Sequence, residues 1–366
     1  MKKNNIFISR GKNRHLLCLL LLCVIFLLVF LKDVRCLSLL LMVVLYKSFT
    51  NISFKRLIFY FVISFVPTIM FFAIKNFNFL TFLCNLINTK MKFNIRDLMC
   101  NFLDSKYDQT TSNFIKLMIL NVKIDDGYVL YNKMIDLSIV YMIVISGFHF
   151  LFIKKIINII FKNHEKLQFI SNFFILFFYS YLLNFTVSIL RVFLSLIITK
   201  FTKSKNPFDV FSVSGLILLF TIPSLCFSLS FQLSYICTFG VIFISTLEMK
   251  NKVLEKILIN VFAIIISLPF VLSINKEISL IAFINSFIFS YFFCFIFVYF
   301  FFFWFVTFLA PIHYVLTYIV FALIEGFNII NIKICLNISN LYLSCSYYIL
   351  LFVIIMITYK KTNFQW

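Results

Sequence analysis

Apolar positions along the chain gather into long runs, at 15–31, 36–46, 57–74, 137–153, 167–199, 211–229, 231–247, 257–273, 278–310, 312–324 and 341–358. A helix needs about 20 apolar residues to cross a bilayer, and most of these runs approach or pass that length. The pattern predicts an all-α polytopic integral membrane protein with roughly eight to eleven spans, some of them broken or re-entrant helices. The runs at 167–199 and 278–310 each hold 33 residues. That is too long for one straight helix and barely enough for two, so a paired or re-entrant arrangement is expected at both. Short basic turns separate the later runs, as at Lys154-Lys155, at Lys200, Lys203 and Lys205, and at Lys250, Lys252 and Lys256.

One stretch departs from this pattern. Positions 75–135 carry Asp97, Asp104, Asp108, Asp125 and Asp126, five of the 13 acidic residues in the chain. Three regions follow: N-terminal membrane anchor helices at 1–74, an extracytoplasmic and partly amphipathic segment at 75–135, and a membrane domain at 136–366. Lys2, Lys3, Arg10, Lys12 and Arg14 precede the first run as in a signal peptide, but the first alanine is Ala73. Without a small-x-small cleavage site, an uncleaved anchor with a cytoplasmic N-terminus is expected, in a multi-pass protein of the cytoplasmic membrane.

Composition narrows the function classes. The chain is 63% hydrophobic and only 13% charged, against about half and a quarter in soluble domains, which excludes a water-soluble fold. The net charge of +20 follows the basic turns and does not by itself imply an anionic ligand. A phosphate-binding loop is excluded too: the only Gly-Lys pair is Gly11-Lys12, and Ile6 stands where the loop's first glycine belongs. No ATP motor is expected. The ten cysteines form no C-x-x-C pair, so buried free thiols are expected, with a Cys84–Cys100 disulfide the one pairing left open. His149 and the next histidine, His164, are fifteen positions apart, and no metal or cofactor is expected.

Polar residues inside the runs are the candidate chemistry, because a charged side chain at mid-bilayer costs about 2.5–3.5 kcal/mol on insertion scales. Arg191 either snorkels to an interface or lines a cavity, with Glu325 as a speculative counter-ion. Ser146, Gly147 and His149 stand together in an apolar run. Ser146 and His149 share a face if the helix continues through Gly147, whereas a break there would free backbone groups to line a cavity. Ser224, Ser228, Gln232 and Tyr235 follow a 4-4-3 spacing, which would stack them on one helix face. Such a stripe serves either as interhelical glue or as the lining of a passage.

Taken together, these places resemble the competence domain of the ComEC family, the inner-membrane channel for DNA uptake in transformation. The family run G-L-x-H-L-L-A-I-S-G-L-H aligns without gaps to Ser138-Ile139-Val140-Tyr141-Met142-Ile143-Val144-Ile145-Ser146-Gly147-Phe148-His149. Ser138 replaces the leading Gly, and Tyr141 replaces the first His. The family's R-A pair corresponds to Arg191-Val192. Its P-x-x-L-x-x-x-G-F-Q-L-S run corresponds to the stretch from Pro223 through Phe231, Gln232 and Ser234, with Ser230 in place of Gly. Pro269 and Asn285 also fall where the family has them.

The resemblance implies a channel component for single-stranded DNA, with Ser146, His149, Arg191 and Gln232 lining the path, and a possible homo-oligomer. It further implies a separate cytoplasmic helicase-like ATPase and a DNA receptor as partners, beside the lipid bilayer. Two domains carried by longer relatives are not expected here: an OB-like domain, and a metallo-β-lactamase-like domain whose H-x-H-x-D-H cluster is missing among His15, His149, His164 and His313. Nuclease activity is therefore not carried over. A small-molecule or lipid transporter is the alternative function. An intramembrane enzyme using Ser146 and His149 lacks an orienting acid in the sequence.

Overall fold

The computed structural model describes residues 19–20, 23–24, 54–73, 84–85, 87–89, 94–122, 129–139, 147–202, 206–245, 251–275 and 277–335. These residues are overwhelmingly helical, as the apolar runs predict, with one small exception. Strands β1 (Glu277–Ser279) and β2 (Lys333–Cys335) pair antiparallel, with Ile278 opposite Ile334. The chain divides into two units, one of Met1–Asn78, Leu194–Ser273 and Asn337–Trp366, the other of Phe79–Phe193 and Ile274–Leu336. The division groups the acidic segment with the apolar chain that follows it.

In the first unit, α1 (Phe54–Ala73) packs on α8 (Pro207–Thr221) and on the 3-10 turn Pro223–Phe227. Phe71 meets Phe227 edge-on at 5.6 Å. Helix α8 starts cleanly because the Asn206 side chain accepts the Phe208 amide at 3.1 Å and Pro207 occupies the first helical position. After the 3-10 turn comes α9 (Leu229–Ser245), whose Phe243 and Ile244 bury against Leu258, Ile259 and Phe262 of α10 (Lys252–Asn275). Gly215 of α8 marks a close approach. A Cβ there would lie 2.7 Å from the Leu20 side chain and 2.9 Å from Tyr235.

The second unit holds α2 (Ile95–Lys106), α3 (Gln109–Ile115), a π turn (Lys116–Leu120), α4 (Val129–Asp136), α5 (Gly147–Ile160), α6 (Glu165–Leu182) and the start of α7 (Val187–Thr202). It also holds α11 (Ala282–Phe303) and α12 (Ala310–Ile329). Within the acidic segment, α2 and α3 are short helices with buried positions such as Met99, Leu103 and Phe114. Asn94 caps α2, Asp97 lies in its first turn and Lys106 in its last, each complementing the helix dipole. Yet this segment does more than lie on a surface. Phe114, Ile115 and all of 117–120 are buried, and the segment packs against α11 and α12. Lys116, itself buried, is held by Asp104, which also accepts the Ser112 hydroxyl at 2.8 Å. Burial pushes the Asp104 carboxyl up, but the hydrogen bonds from Lys116 and Ser112, with the Lys116 charge, leave it below the ordinary value.

The two 33-residue runs resolve differently. The run 167–199 is a helical pair, split at a turn where Asn184 (φ 50°) and Phe185 (φ 52°) take left-handed backbone. The run 278–310 is not paired. It holds one continuous helix of 22 residues, α11, which at 1.5 Å per residue reaches about 33 Å. Ala282–Phe303 and Thr307–Ile329 are the two segments among the described residues that are long and apolar enough to cross a membrane. Shorter apolar helices at Ile58–Phe71, Pro207–Thr221 and Ser230–Ser245 accompany them. Lys154 and Lys155 lie inside α5, not in a turn, because the helix continues to Ile160. Cys84 and Cys100 carry free thiols, so the disulfide left open above is not formed. The runs 36–46 and 341–358 lie outside the described residues.

Candidate functional site

Two polar centres emerge, one in each unit, and each contains residues of the family motifs. The first is the turn at the end of α4, where the motif beginning at Ser138 starts. Helix α4 ends in a Schellman arrangement. The Ser138 amide donates to Ile135 O at 2.8 Å and the Ile139 amide to Met134 O at 3.0 Å. Ser138 occupies the left-handed position of this motif at φ 59°, the place where glycine is favoured because it has no Cβ to clash. That is a physical reason for the glycine of the family pattern. In this chain Ser138 uses its hydroxyl instead, accepting the Ser279 amide at 3.2 Å.

A Schellman motif leaves the last carbonyls of the helix still to be satisfied. Here asparagines from distant elements do it for Leu137 and Asp136, while a third adds a second bond to Lys133 O, which already accepts the Leu137 amide at 3.1 Å. Asn285 Nδ2 donates to Leu137 O at 3.2 Å, Asn331 Nδ2 to Asp136 O at 3.0 Å, and Asn328 Nδ2 to Lys133 O at 3.3 Å. Ser279 Oγ donates in turn to Asn331 Oδ1 at 2.5 Å. Asn285 has no solvent exposure. Ion pairs ring the cluster: Lys333 lies 2.7 Å from Asp136 and 3.6 Å from Glu277. The hydrogen bond to Asp136 raises the Lys333 ammonium above its ordinary value against the smaller opposing effect of burial, with the charges of Asp136 and Glu277 adding to the rise. Glu325 meets Lys133 at 2.7 Å, so its ion-pair partner is Lys133 in place of the expected Arg191.

The second centre is the stretch Pro223–Ser234. Pro223 opens the 3-10 turn, and the turn ends at Ser228, which becomes the N-cap of α9. Its hydroxyl accepts the Phe231 amide at 3.2 Å and donates to Leu225 O at 2.7 Å. Gln232 folds back, and its Nε2 donates to Cys226 O at 3.1 Å, tying the start of α9 to the 3-10 turn. The stripe Ser224, Ser228, Gln232 and Tyr235 therefore does not lie along one helix. Ser224 and Ser228 precede α9, and a proline-led turn offsets them from the other two. Phe231 and Tyr235 stack at 4.4 Å and are buried, as are Pro223 and Ser234. Tyr235 Oη lies 3.3 Å from Ser214 Oγ.

The remaining candidates are placed more sparsely. Gly147 begins α5 and His149 lies in its first turn, so the helix runs on from Gly147. Ser146 and the intervening motif residues 140–146 lie outside the described residues, as does the His149 side chain. Arg191 is half-buried, about 6 Å along the axis from the start of α7, and so stands near a helix end instead of mid-helix. Asn328, Asn331 and Ser279 escaped the sequence reading. Their signal was the same as for Glu325, polar groups beside apolar runs, but they sit at element ends, where polar residues are ordinary.

Comparison with known proteins places this architecture. The family model described as "Competence protein" matches residues 129–361, which takes in both centres and both long apolar helices. This chain belongs to the competence protein family. Its relatives include the uncharacterized protein MG316 of Mycoplasma genitalium, 26% identical over 205 residues, covering 56% of this chain and 55% of the relative. The MG316 homolog of Mycoplasma pneumoniae is 25% identical over 201 residues, covering 55% and 54%. The chain spans about half the length of the curated relatives it matches. No solved structure matches it.

Proposed function

We propose that this protein is a channel component for the import of single-stranded DNA across the cytoplasmic membrane, inserted as a multi-pass protein with roughly eight to eleven spans. The observation that carries this reading is the family match over 129–361. The built turn at Ser138 supports it, since the chain keeps the backbone geometry that the motif's first position requires even though its glycine is replaced. Importing an anion against a negative-inside potential costs about 2.3 kcal/mol per charge per 100 mV. A long strand therefore has to be pulled, and the chain's lack of a phosphate-binding loop fits a separate helicase-like ATPase on the cytoplasmic side, with a DNA receptor outside. His149, Arg191 and Gln232 are the proposed polar contacts of the path, with aromatic faces for base stacking. The protein acts without chemistry of its own, and Ser146 is no nucleophile.

The test is uptake of fluorescently labelled DNA in a deletion strain complemented with the wild-type gene or with variants. Restored entry with the wild type and with Ser146→Ala, and loss with Arg191→Leu at equal membrane abundance, is the expected result. Normal DNA entry in the deletion strain, accompanied by lost metabolite or lipid flux, would overturn this reading in favour of a small-molecule or lipid transporter.

A further inference from the structure

An ionisable residue inside a membrane-length helix marks a functional site unless packing or hydrogen bonding accounts for it. His313 lies in the first turn of α12 and has no solvent exposure. Three rings enclose its own, with centroids 5.3 Å away for Tyr107, 5.5 Å for Tyr299 and 5.4 Å for Phe300. Phenylalanine would fill that space as well, so packing does not account for an imidazole. Hydrogen bonding does not either: among the described residues, neither Nδ1 nor Nε2 has a partner. A neutral imidazole carries one donor and one acceptor, and leaving both unmade in a buried place is unfavourable.

Two hydroxyls share this condition. Thr317, one turn along the same face of α12, is buried with Oγ1 unpartnered, and the buried Tyr299 Oη of α11 is unpartnered too. No charge offsets the site. From α2 comes Tyr107, whose hydroxyl donates to Trp304 O at 3.0 Å. Its neighbours Lys106 and Asp108 are exposed, and Asp108 accepts the Thr111 amide at 3.3 Å. Helix α3 sets Phe114 against Phe300 and carries no titratable residue. Helix α12 itself adds Tyr314, which is 40% exposed. Its carboxylate, Glu325, stands about 18 Å further along the axis and pairs with Lys133.

We propose that His313 is a proton-binding site, flanked by the Tyr299 and Thr317 hydroxyls, whose occupation parts the end of α2 from α11 and α12. The added proton brings a second N–H and a full charge into a seam without a carboxylate. Hydroxyl oxygens and ring faces contact an imidazolium favourably, but they do not replace the water that a buried charge loses. The seam is therefore closed near pH 8 and opens at Tyr107 as pH falls through the histidine range, between about 8 and 5. This device goes beyond DNA import and does not depend on it.

Trp304 reports the seam, because its carbonyl holds Tyr107 and its ring meets Phe102 of α2 edge-on at 5.6 Å. Trp366 is the only other tryptophan, so a Trp366→Phe background isolates the signal. In detergent, acidification from pH 8 to pH 5 should shift Trp304 emission to the red and raise its quenching by acrylamide, with unchanged far-ultraviolet circular dichroism. His313→Phe in that background should abolish both changes, although His15, His149 and His164 remain. His313→Gln is the second variant. It keeps a donor and an acceptor but does not titrate, and its emission should also be flat with pH. An acid response that survives either variant, or a parent that shows none, overturns the proposal. Loss of helicity alongside the shift overturns it as well, since the response is then general acid unfolding.

Discussion

The turn after α4 and the stretch Pro223–Ser234 meet the same need by opposite means. Each leaves backbone carbonyls that a continuing helix would have satisfied, and inside an apolar protein such groups must find partners. At Pro223–Ser234 the partners are local: Gln232 reaches back six residues to Cys226, and Ser228 caps the helix that follows it. At the α4 turn they come from far along the chain. Asn285 is 148 residues from Leu137, and Asn328 and Asn331 are each 195 residues from the carbonyls they hold. The local centre is an intrinsic property of its own sequence. The long-range one exists only after α11, α12 and the β1–β2 ribbon have docked, so it reports the assembly of the whole second unit.

Substitutions can break that contrast. Asn285→Asp should have the largest effect, about 3–5 kcal/mol, because it removes the donor and places an uncompensated charge against Leu137 O in a site with no exposure. Thermal unfolding in detergent would measure it, and an unchanged midpoint would dismiss the long-range clamp. Next in size, Ser138→Gly and Ser138→Ala both lose the bond from Ser279, but only glycine relieves the left-handed backbone. The glycine variant should be the more stable by about 1–2 kcal/mol.

Gln232→Leu should cost about 1 kcal/mol, the loss of one bond to Cys226 O. Its hydrogen-exchange signature should stay confined to Pro223–Ser234, and spread of the exchange into α1 would blur the distinction drawn above. The smallest effect comes from pH. Lys333 has a raised folded-state value, so its pairing stabilises the turn below the ordinary lysine range and is lost as pH rises through that raised value. Melting curves at pH 8 and pH 11 should therefore converge more closely for Lys333→Gln than for the parent. An identical alkaline drop in both would remove Lys333 from the account.

The same contrast explains what could be read from the residues alone. Helical class and the local turns are short-range properties. The split in the run 167–199 is signalled by Asn184, a residue tolerant of left-handed backbone, within an apolar stretch. The break after α11 carries no such mark: residues 304–306 are Trp-Phe-Val, and no proline or glycine announces the turn. The partners of Leu137, Asp136 and Lys133 were beyond reach, because spacing along one chain says nothing of which distant amide will face which carbonyl. The spacing of Gln232 suggests a stripe because a period-based reading assumes a continuous helix, whereas Pro223 replaces its start with a tighter turn.

Gly215 and the Pro223–Phe227 turn carry a practical consequence for anyone working with pieces of this protein. The matched family stretch begins at 129, yet Leu20 fills the notch over Gly215 and Phe71 leans on Phe227. Trimming the chain to the recognisable family portion would strip two wedges from its first unit. Such a fragment would present raw greasy faces and tend to clump, and its failure would be a fault of the cut, with no bearing on the intact molecule.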